Sequence, residues 1–334
     1  MNRMDIYLKS AIIHLMDRES GVPVYSQIPL DLANEAVRTY VQTKIQKVAS
    51  AQTKTGQLKS DSFVAEQIKA LETDFTGASQ QLTEHWFQLL NGSEDAPGGD
   101  VIVALYEEDT RLYGALMKLN YKESYTHFVE YEADQVANKL IVNRAILPSK
   151  SQKPDEALLV GLNDLSYQLI EKKYQFSGEK KAYFSEQVIE SEPLPSMEEN
   201  IREVKKVAKK ISKQFNQEEY ATLAAVQEAI AESVEESGTV SSQYVAEKVF
   251  QDNVSARLAY QEELKDTSFV EEAPVPKLVA EKKFSKQKLK MDNGIELIVP
   301  LEIYHDPNMI EFINNPDGTV SITIKNVEKI INKF

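Results

Sequence analysis

Residues 98–119 read GGDVIVALYEEDTRLYGALMKL and contain two apolar, β-rich runs joined by a short polar loop. The runs are Val101–Tyr106 and Leu112–Leu119, and the loop is Glu107–Thr110. Runs that stay apolar over several consecutive residues are typical of strands covered on both faces. The stretch therefore predicts an antiparallel hairpin with at least one strand central to a sheet.

The chain before this hairpin alternates between strand and helix patterns. Residues 5–15 have a nearly alternating pattern that predicts a half-buried strand. Apolar residues recur at three- and four-residue spacing over 32–48, which predicts an amphipathic helix that Asp31 is placed to cap. Two shorter helices are predicted around residues 63–71 and 82–90, with the Gly77 region between them.

The chain after the hairpin predicts strands over 139–147 and 158–170, followed by a return to helical character over 178–189. An antiparallel sheet with helices inserted between its strands belongs to the α+β class. We therefore expect residues 1–192 to form an N-terminal α+β domain. Two prolines in Glu192–Pro195 interrupt helix and sheet alike and predict a linker.

The second predicted domain covers residues 193–334. It begins with a helical segment that extends to about residue 265. A basic run, Lys282–Lys290, precedes three predicted strands at 295–299, 309–313 and 319–324. Asn315–Gly318 has the composition of a hairpin turn. We expect a helical middle segment followed by a small C-terminal β-hairpin module.

Composition limits the possible classes of protein. The absence of cysteine excludes disulfides, thiolate nucleophiles and thiolate metal sites. No apolar run approaches the roughly 20 residues that a membrane span needs, and the N-terminus lacks an apolar signal-peptide core, so we expect a cytosolic protein. A net charge of -14 argues against avid coating of DNA. Local basic patches are still compatible with this net charge.

Motifs for catalysis are absent from the sequence. No GxxxxGK, GxSxG or HExxH pattern occurs, and the four histidines lack the spacing of helical metal ligands. Adjacent glutamates lie in helical stretches, where a solvated face is the simpler explanation. We predict a protein without enzymatic activity, cofactor or metal. A hydrolase that uses carboxylates and a divalent ion is a disfavoured alternative.

Three segments carry a resemblance to a known family: Ile6–His14, the hairpin that begins at Gly98-Gly99, and the tail from Gly294 to Ile324. In kind and spacing they resemble the bacterial nucleoid-associated proteins of the NdpA type. The resemblance implies a cytoplasmic protein recovered with the nucleoid, able to associate with DNA and, in some members, thought to act on type II topoisomerases. It supplies no catalytic residue.

Two basic patches are the candidate nucleic-acid contacts. The first is a helical stripe with three- and four-residue spacing: Arg202, Lys205, Lys206, Lys209, Lys210 and Lys213. The second is the basic run, with Lys282, Lys283, Lys286, Lys288 and Lys290. Lysine contacts phosphates as a point charge, so we expect low sequence preference. A solubilising helix face and a charged linker are the respective alternatives.

These features predict a nucleoid-associated protein that makes weak, nonspecific contacts with duplex DNA. The N-terminal domain is then expected to serve as a platform for assembly, including homo-oligomers, or for a partner. The alternative is a protein-binding regulator that reaches DNA through a type II topoisomerase. The acidity of the chain favours this alternative, because a negative body repels DNA and can mimic it for a basic partner.

Overall fold

A computed structural model describes residues 6–18, 21–132, 135–271, 273–275, 279 and 284–331. The chain divides into two units, Met1–Glu198 and Glu199–Phe334. The elements up to residue 188 are β1 Tyr7–Met16, α1 Glu35–Gln46, β2 Lys54–Gln57, α2 Phe63–Ala70, α3 Phe75–Asn91, β3 Gly99–Glu108, β4 Arg111–Asn120, β5 Lys122–Glu132, β6 Gln135–Ile146, β7 Glu156–Gly161, β8 Ser166–Ile170, β9 Tyr174–Phe176, β10 Glu179–Lys181 and a π-helical turn, Phe184–Val188.

The elements that follow are α4 Met197–Gln214, α5 Glu219–Ser237, α6 Ser242–Val249, α7 Val254–Lys265, β11 Lys286–Lys290, β12 Glu296–Pro300, α8 Leu301–Tyr304, β13 Ile310–Asn314 and β14 Val320–Ile324. The α+β prediction is therefore confirmed: an antiparallel sheet with inserted helices is followed by a helical middle segment and small C-terminal hairpins. In the described part of the chain, no helix is long and apolar enough to cross a membrane.

Six strands of the first unit form one antiparallel sheet in the order β1-β3-β4-β7-β8-β2. The predicted hairpin is β3–β4, which pairs from Gly99↔Asn120 to Glu108↔Arg111. Asp109 and Thr110 join the strands with φ values of 47° and 64°. Two consecutive residues with positive φ make the type I′ turn that suits the twist of a two-residue hairpin.

Both faces of this sheet are covered, which explains the continuous apolar run in β3. Val101 and Val103 belong to a core on one face, together with Trp86 of α3. Ile102 belongs to a second core on the opposite face, together with Ile45 of α1. Because successive side chains of a strand point to opposite faces, alternate residues of the run pack into different cores.

Helix boundaries differ from the predictions at two places. Asn34, not Asp31, caps α1, since its Oδ1 accepts hydrogen bonds from the backbone N–H groups of Ala36 and Val37. Asp31 instead accepts from the backbone N–H of Ala33 before the helix starts. Likewise, Gly77 lies inside α3, whose cap is Asp74.

Two later predictions also need correction. The single strand predicted over 158–170 is a hairpin of β7 and β8, because the chain turns at Leu165, whose φ is 57°. The helix predicted over 178–189 is reduced to the π-helical turn, and β10 pairs with β9 before it. An isolated β-bridge joins the predicted linker to the sheet, in which the backbone N–H of Leu194 donates to the carbonyl of Thr55 at 2.8 Å.

The second unit contains the predicted helices and two separate hairpins, β11–β12 and β13–β14. Val204, Val207 and Ile211 form the buried side of α4. Asn200 closes this region by binding both backbone groups of Val270, with Nδ2 donating to the carbonyl at 2.7 Å and Oδ1 accepting from the N–H at 3.1 Å. The helical block is thus packed against the chain that leaves it.

Candidate nucleic-acid interface

Three lysines of the predicted basic run occupy alternate positions of β11. Lys286, Lys288 and Lys290 are exposed, whereas Gln287 between them is buried and Leu289 is half-buried. Alternate residues of a strand share one face. The strand therefore presents three ammonium groups on one side, and we call this side the lysine face.

Contacts with α5 decide which side of β11 faces solvent. The amide Nε2 of Gln287 donates to the carbonyl of Ala224 at 3.5 Å. In the opposite direction, Nε2 of Gln227 donates to the carbonyl of Lys286 at 3.0 Å. These bonds hold the Gln287 side of the strand against the helix, so the lysine face points away from it.

The lysine face keeps positive charge that neighbouring carboxylates do not offset. Within the described residues, Lys286 and Lys288 have no carboxylate oxygen within 4.0 Å of Nζ. Lys290 lies 3.5 Å from Glu296, and both side chains are largely exposed. An exposed pair of this kind contributes little free energy. The face can therefore contact an anionic backbone without breaking a strong internal interaction.

The helical stripe has a different electrostatic environment, although its geometry is the one predicted. Five of its six side chains project into solvent opposite the apolar side of α4, and Lys205 is half-buried. These five are paired with carboxylates: Arg202 and Lys206 with Glu203, Lys209 and Lys213 with Glu219, and Lys210 with Glu263.

These carboxylates reduce the positive field that a phosphate backbone would meet along the stripe. The shortest contact joins Nζ of Lys209 to a carboxylate oxygen of Glu219 at 2.5 Å. This hydrogen bond is the main cause of a lowered pKa at Glu219. The stripe therefore resembles the solubilising helix face that the sequence left open as an alternative.

One groove brings parts of the two basic patches together. It has a volume of about 480 Å³ and lies between α4, α5 and β11. Lys205 of α4 and Lys288 and Lys290 of β11 are among the residues that line it. Glu218 and Glu219 also line the groove, so its charge is mixed. Lys282 and Lys283 of the predicted run lie outside the described residues.

The titratable groups most affected by burial lie in the core of the first unit. Lys118 and Glu156 are fully buried, with Nζ and Oε2 3.9 Å apart. Tyr183 and Tyr174 donate to the carboxylate at 2.8 and 3.3 Å. Burial raises the pKa of Glu156 and lowers that of Lys118. The pair is enclosed and hydrogen-bonded, which suits a structural role.

Metal-ligand clusters are not found in the described part of the chain, where no three His, Asp or Glu side chains are grouped so as to hold an ion. His14, for example, is buried and bonded at both ring nitrogens: Nε2 to the Ser79 hydroxyl at 3.0 Å and Nδ1 to the backbone N–H of Ser26 at 3.1 Å. The arrangement orients the ring inside the core.

The fold and the lysine face define an α+β protein whose candidate contact surface is suited to an anionic polymer. The family model described as nucleoid-associated protein YejK matches residues 12–332, and the chain belongs to this family. The resemblance to nucleoid-associated proteins is thereby confirmed. No curated protein matches the chain.

Sequence reasoning missed two features near the candidate site. The carboxylates that neutralise the helical stripe come partly from other helices, Glu219 of α5 and Glu263 of α7. No local sequence pattern predicts ion pairs between residues of different helices. The anchoring role of Gln287 was also missed, although a lone uncharged residue between lysines was the available signal.

Proposed function

We propose that this chain is a non-enzymatic protein of the bacterial nucleoid that contacts duplex DNA with low sequence specificity through Lys286, Lys288 and Lys290. The observation that carries the proposal is the positive charge of Lys286 and Lys288 on one strand face, where no carboxylate among the described residues pairs with either. Membership of a nucleoid-associated family supports it. Its site of action is then the DNA in the cytoplasm.

Three features explain why this contact is weak and nonspecific. Lysines lack the planar, bidentate geometry with which arginine reads guanine. The face is short, with three ammonium groups on five residues. Finally, the chain has a net charge of -14, so its long-range field opposes DNA and leaves only local attraction within a Debye length.

Arg202, Lys205, Lys206, Lys209, Lys210 and Lys213 are proposed as a secondary contact. Most of their charge is paired with Glu203, Glu219 and Glu263, so phosphates would have to replace those carboxylates. Lys282 and Lys283 precede β11 in the chain and are proposed as further contacts with DNA. The first unit is proposed as the platform for assembly or for a partner.

The test is a salt titration of DNA binding with the full chain. Wild-type protein is titrated against two duplexes of unrelated sequence at several salt concentrations, and the triple variant Lys286→Gln, Lys288→Gln and Lys290→Gln is compared with it. Each phosphate contact contributes about 0.9 to the log–log salt slope, so the slope should fall by about two to three. Affinity for both duplexes should fall equally.

A matched variant separates local contact from total charge. Lys9→Gln, Lys172→Gln and Lys181→Gln removes the same number of charges from exposed, ion-paired lysines of the first unit. This variant should keep the wild-type slope. Equal losses in both triple variants, or wild-type affinity in the β11 variant, would contradict direct contact through the lysine face.

The second candidate is a regulator that reaches DNA through a type II topoisomerase, and the acidity of the chain favours it. The same titration distinguishes the two. A purified chain that fails to bind duplex DNA even at low salt, yet is recovered with the nucleoid from cells, would move this candidate to first place.

A further inference from the structure

A pocket lies at the end of the six-stranded sheet where the β3–β4 hairpin turns, on the face that α1 covers. It has a volume of about 260 Å³, and the residues that line it belong to the first unit. A cavity of this size takes a group about as large as one amino acid side chain. We call it the hairpin pocket, and its lining includes Ile45 of α1, Tyr106 and Glu108 of β3, Tyr113 of β4, Leu159 of β7 and Gln168 of β8.

One carboxylate of the hairpin pocket lacks a partner within the described part of the chain. Oε1 of Glu108 is buried, and no described residue forms a hydrogen bond with it. Arg111 is the cross-strand neighbour of Glu108, but its guanidinium pairs with Asp164 instead. A buried polar atom without a partner costs free energy, which a donor placed in the pocket would recover. Oε1 therefore marks a position for a hydrogen-bond donor.

The charges around the pocket favour a positively charged donor. Of the described residues that line it, none is a lysine, an arginine or a histidine. Burial and, secondly, the charge of Asp109 raise the pKa of Glu108. A cation in the pocket opposes both effects, because it stabilises the ionised carboxylate. The same negative charge disfavours phosphate groups, so this pocket is not a contact for DNA.

The walls of the pocket suit an organic cation and not a metal ion. Calcium and magnesium ions take about six or more oxygen ligands. Glu108 is the single carboxylate among the described lining residues, which falls short of such a set. Tyr106 and Tyr113 stack with ring centroids 5.3 Å apart, and together with the buried Leu159 they provide apolar walls for an alkyl stem. Gln168 adds a polar side chain that can orient the head group.

We propose that the hairpin pocket binds an organic cation, whose guanidinium or ammonium head donates to Oε1 of Glu108 while a short alkyl stem lies among the apolar walls. A hydrogen bond between two charged groups is among the strong ones, so Glu108 supplies most of the specificity. Arginine and lysine side chains of a partner chain carry such a group, and so do free aliphatic amines. The proposal does not depend on DNA contact through the lysine face.

The test measures binding of n-butylguanidinium to the full chain by calorimetry, with n-butylurea as the uncharged analogue of the same shape. n-Butylguanidinium should bind about tenfold more tightly than n-butylurea, and Glu108→Gln should remove this difference, because the charge-assisted hydrogen bond is lost. Glu107→Gln is the matched control. It removes the same charge from the next residue of β3, which points to the opposite face and pairs with Lys9, so affinity should change less than about twofold.

Thermal unfolding separates a ligand site from a structural role of Glu108. Without ligand, Glu108→Gln should melt at the temperature of the wild type or above it, because a buried carboxylate oxygen without a partner is removed. n-Butylguanidinium should raise the melting temperature of the wild type and not that of Glu108→Gln, since a ligand stabilises the state that binds it. Fluorescence of Trp86, the single tryptophan, follows the unfolding of the first unit.

Two capped pentapeptides identify the source of the cation. One carries arginine between pairs of glycines, and the other carries the uncharged analogue citrulline at the same place. Binding of the arginine peptide alone assigns the pocket to a side chain of a partner chain. Binding of n-butylguanidinium without binding of either peptide assigns it to a free amine.

Several outcomes would overturn the proposal. They are no binding of n-butylguanidinium at millimolar concentration, equal binding of n-butylguanidinium and n-butylurea, unchanged affinity in Glu108→Gln, or a clearly lower melting temperature of that variant without ligand. The triple β11 variant should bind n-butylguanidinium like the wild type. A failure of the lysine face and a failure of the hairpin pocket are therefore distinguishable.

Discussion

Replacing Lys118 and Glu156 one at a time should cost far more stability than replacing both. In Glu156→Gln, the ammonium of Lys118 stays fully buried without its carboxylate. In Lys118→Met, the carboxylate stays buried without its cation. The double variant removes both charges, and the amide oxygen of the glutamine can still accept the hydrogen bond that Tyr183 donates to Oε1 of Glu156. Its NH2 group takes the place of Oε2, which accepts the longer bond from Tyr174.

The geometry sets the magnitude. The 3.9 Å between Nζ and Oε2 corresponds to an attraction of about 4 kcal/mol at an effective dielectric constant near 20. Breaking a buried pair from one side costs about 3–5 kcal/mol. Burial is the largest cause of the raised pKa of Glu156 and of the lowered pKa of Lys118, so the pair does not recover its desolvation.

The double variant should therefore lose only about 1–3 kcal/mol, because its main deficits are the carbonyl of Pro97 and Oδ1 of Asn120, which each lose a hydrogen bond from Lys118. The wild type, the two single variants and the double variant form a double-mutant cycle. Its coupling free energy, the difference between the loss in the double variant and the sum of the single losses, should be several kcal/mol.

The protein contains its own reporter for this measurement. Trp86 is the single tryptophan, is fully buried and donates from Nε1 to the Tyr183 hydroxyl at 2.8 Å. Denaturant unfolding followed by its fluorescence gives the free energy of unfolding of the first unit for all four proteins. A double variant whose loss equals the sum of the single losses, within about 0.5 kcal/mol, would refute the reasoning.

Two further predictions concern the same unit. Burial lowers the pKa of His14 from 6.5 to about 4, so the neutral form contributes stability above pH 6.5, and up to about 3 kcal/mol of the free energy of unfolding should be lost as the pH falls to 4. The free energy of unfolding, measured against pH, should fall less in His14→Gln than in the wild type. An identical fall in both proteins would contradict this prediction. Gly99→Ala should cost about 1–3 kcal/mol, because a Cβ would lie 2.5 Å from the carbonyl oxygen of Leu119 in the sheet. Gly98→Ala is the control, since its nearest neighbours are 3.4 Å away, and equal melting temperatures of the two variants would exclude this backbone clash.

Local patterns determined the elements whose side chains have a regular period. The continuous apolar run of β3 predicted a central strand, and its two interleaved sets of residues do enter different cores. The spacing of Val204, Val207 and Ile211 predicted the amphipathic α4. Asn315–Gly318 predicted the turn of the last hairpin. In each case the sequence pattern that predicted the element lies within a few residues along the chain.

Partners that are distant in sequence decided the remaining features. The Gly178–Ile189 segment was predicted as a helix, but Tyr183 and Phe184 enter the core beside Trp86, and β10 pairs with β9. β5 was not predicted, because both of its faces are exposed and its regular pairing depends on β6. The predicted division into domains at residue 192 stays a prediction.

Ion pairing of the basic residues is the clearest case of a feature that depends on partners distant in sequence. The sequence alone located the basic residues of β11 and α4 and implied the absence of cysteine chemistry. Only the tertiary structure showed that Glu219 and Glu263 pair with three of the six basic residues of the α4 stripe, whereas Lys286 and Lys288 have no carboxylate partner among the described residues. The physical reason is that an electrostatic field depends on distances in space, and side chains more than 50 residues apart can meet within 3 Å, as Lys210 and Glu263 do.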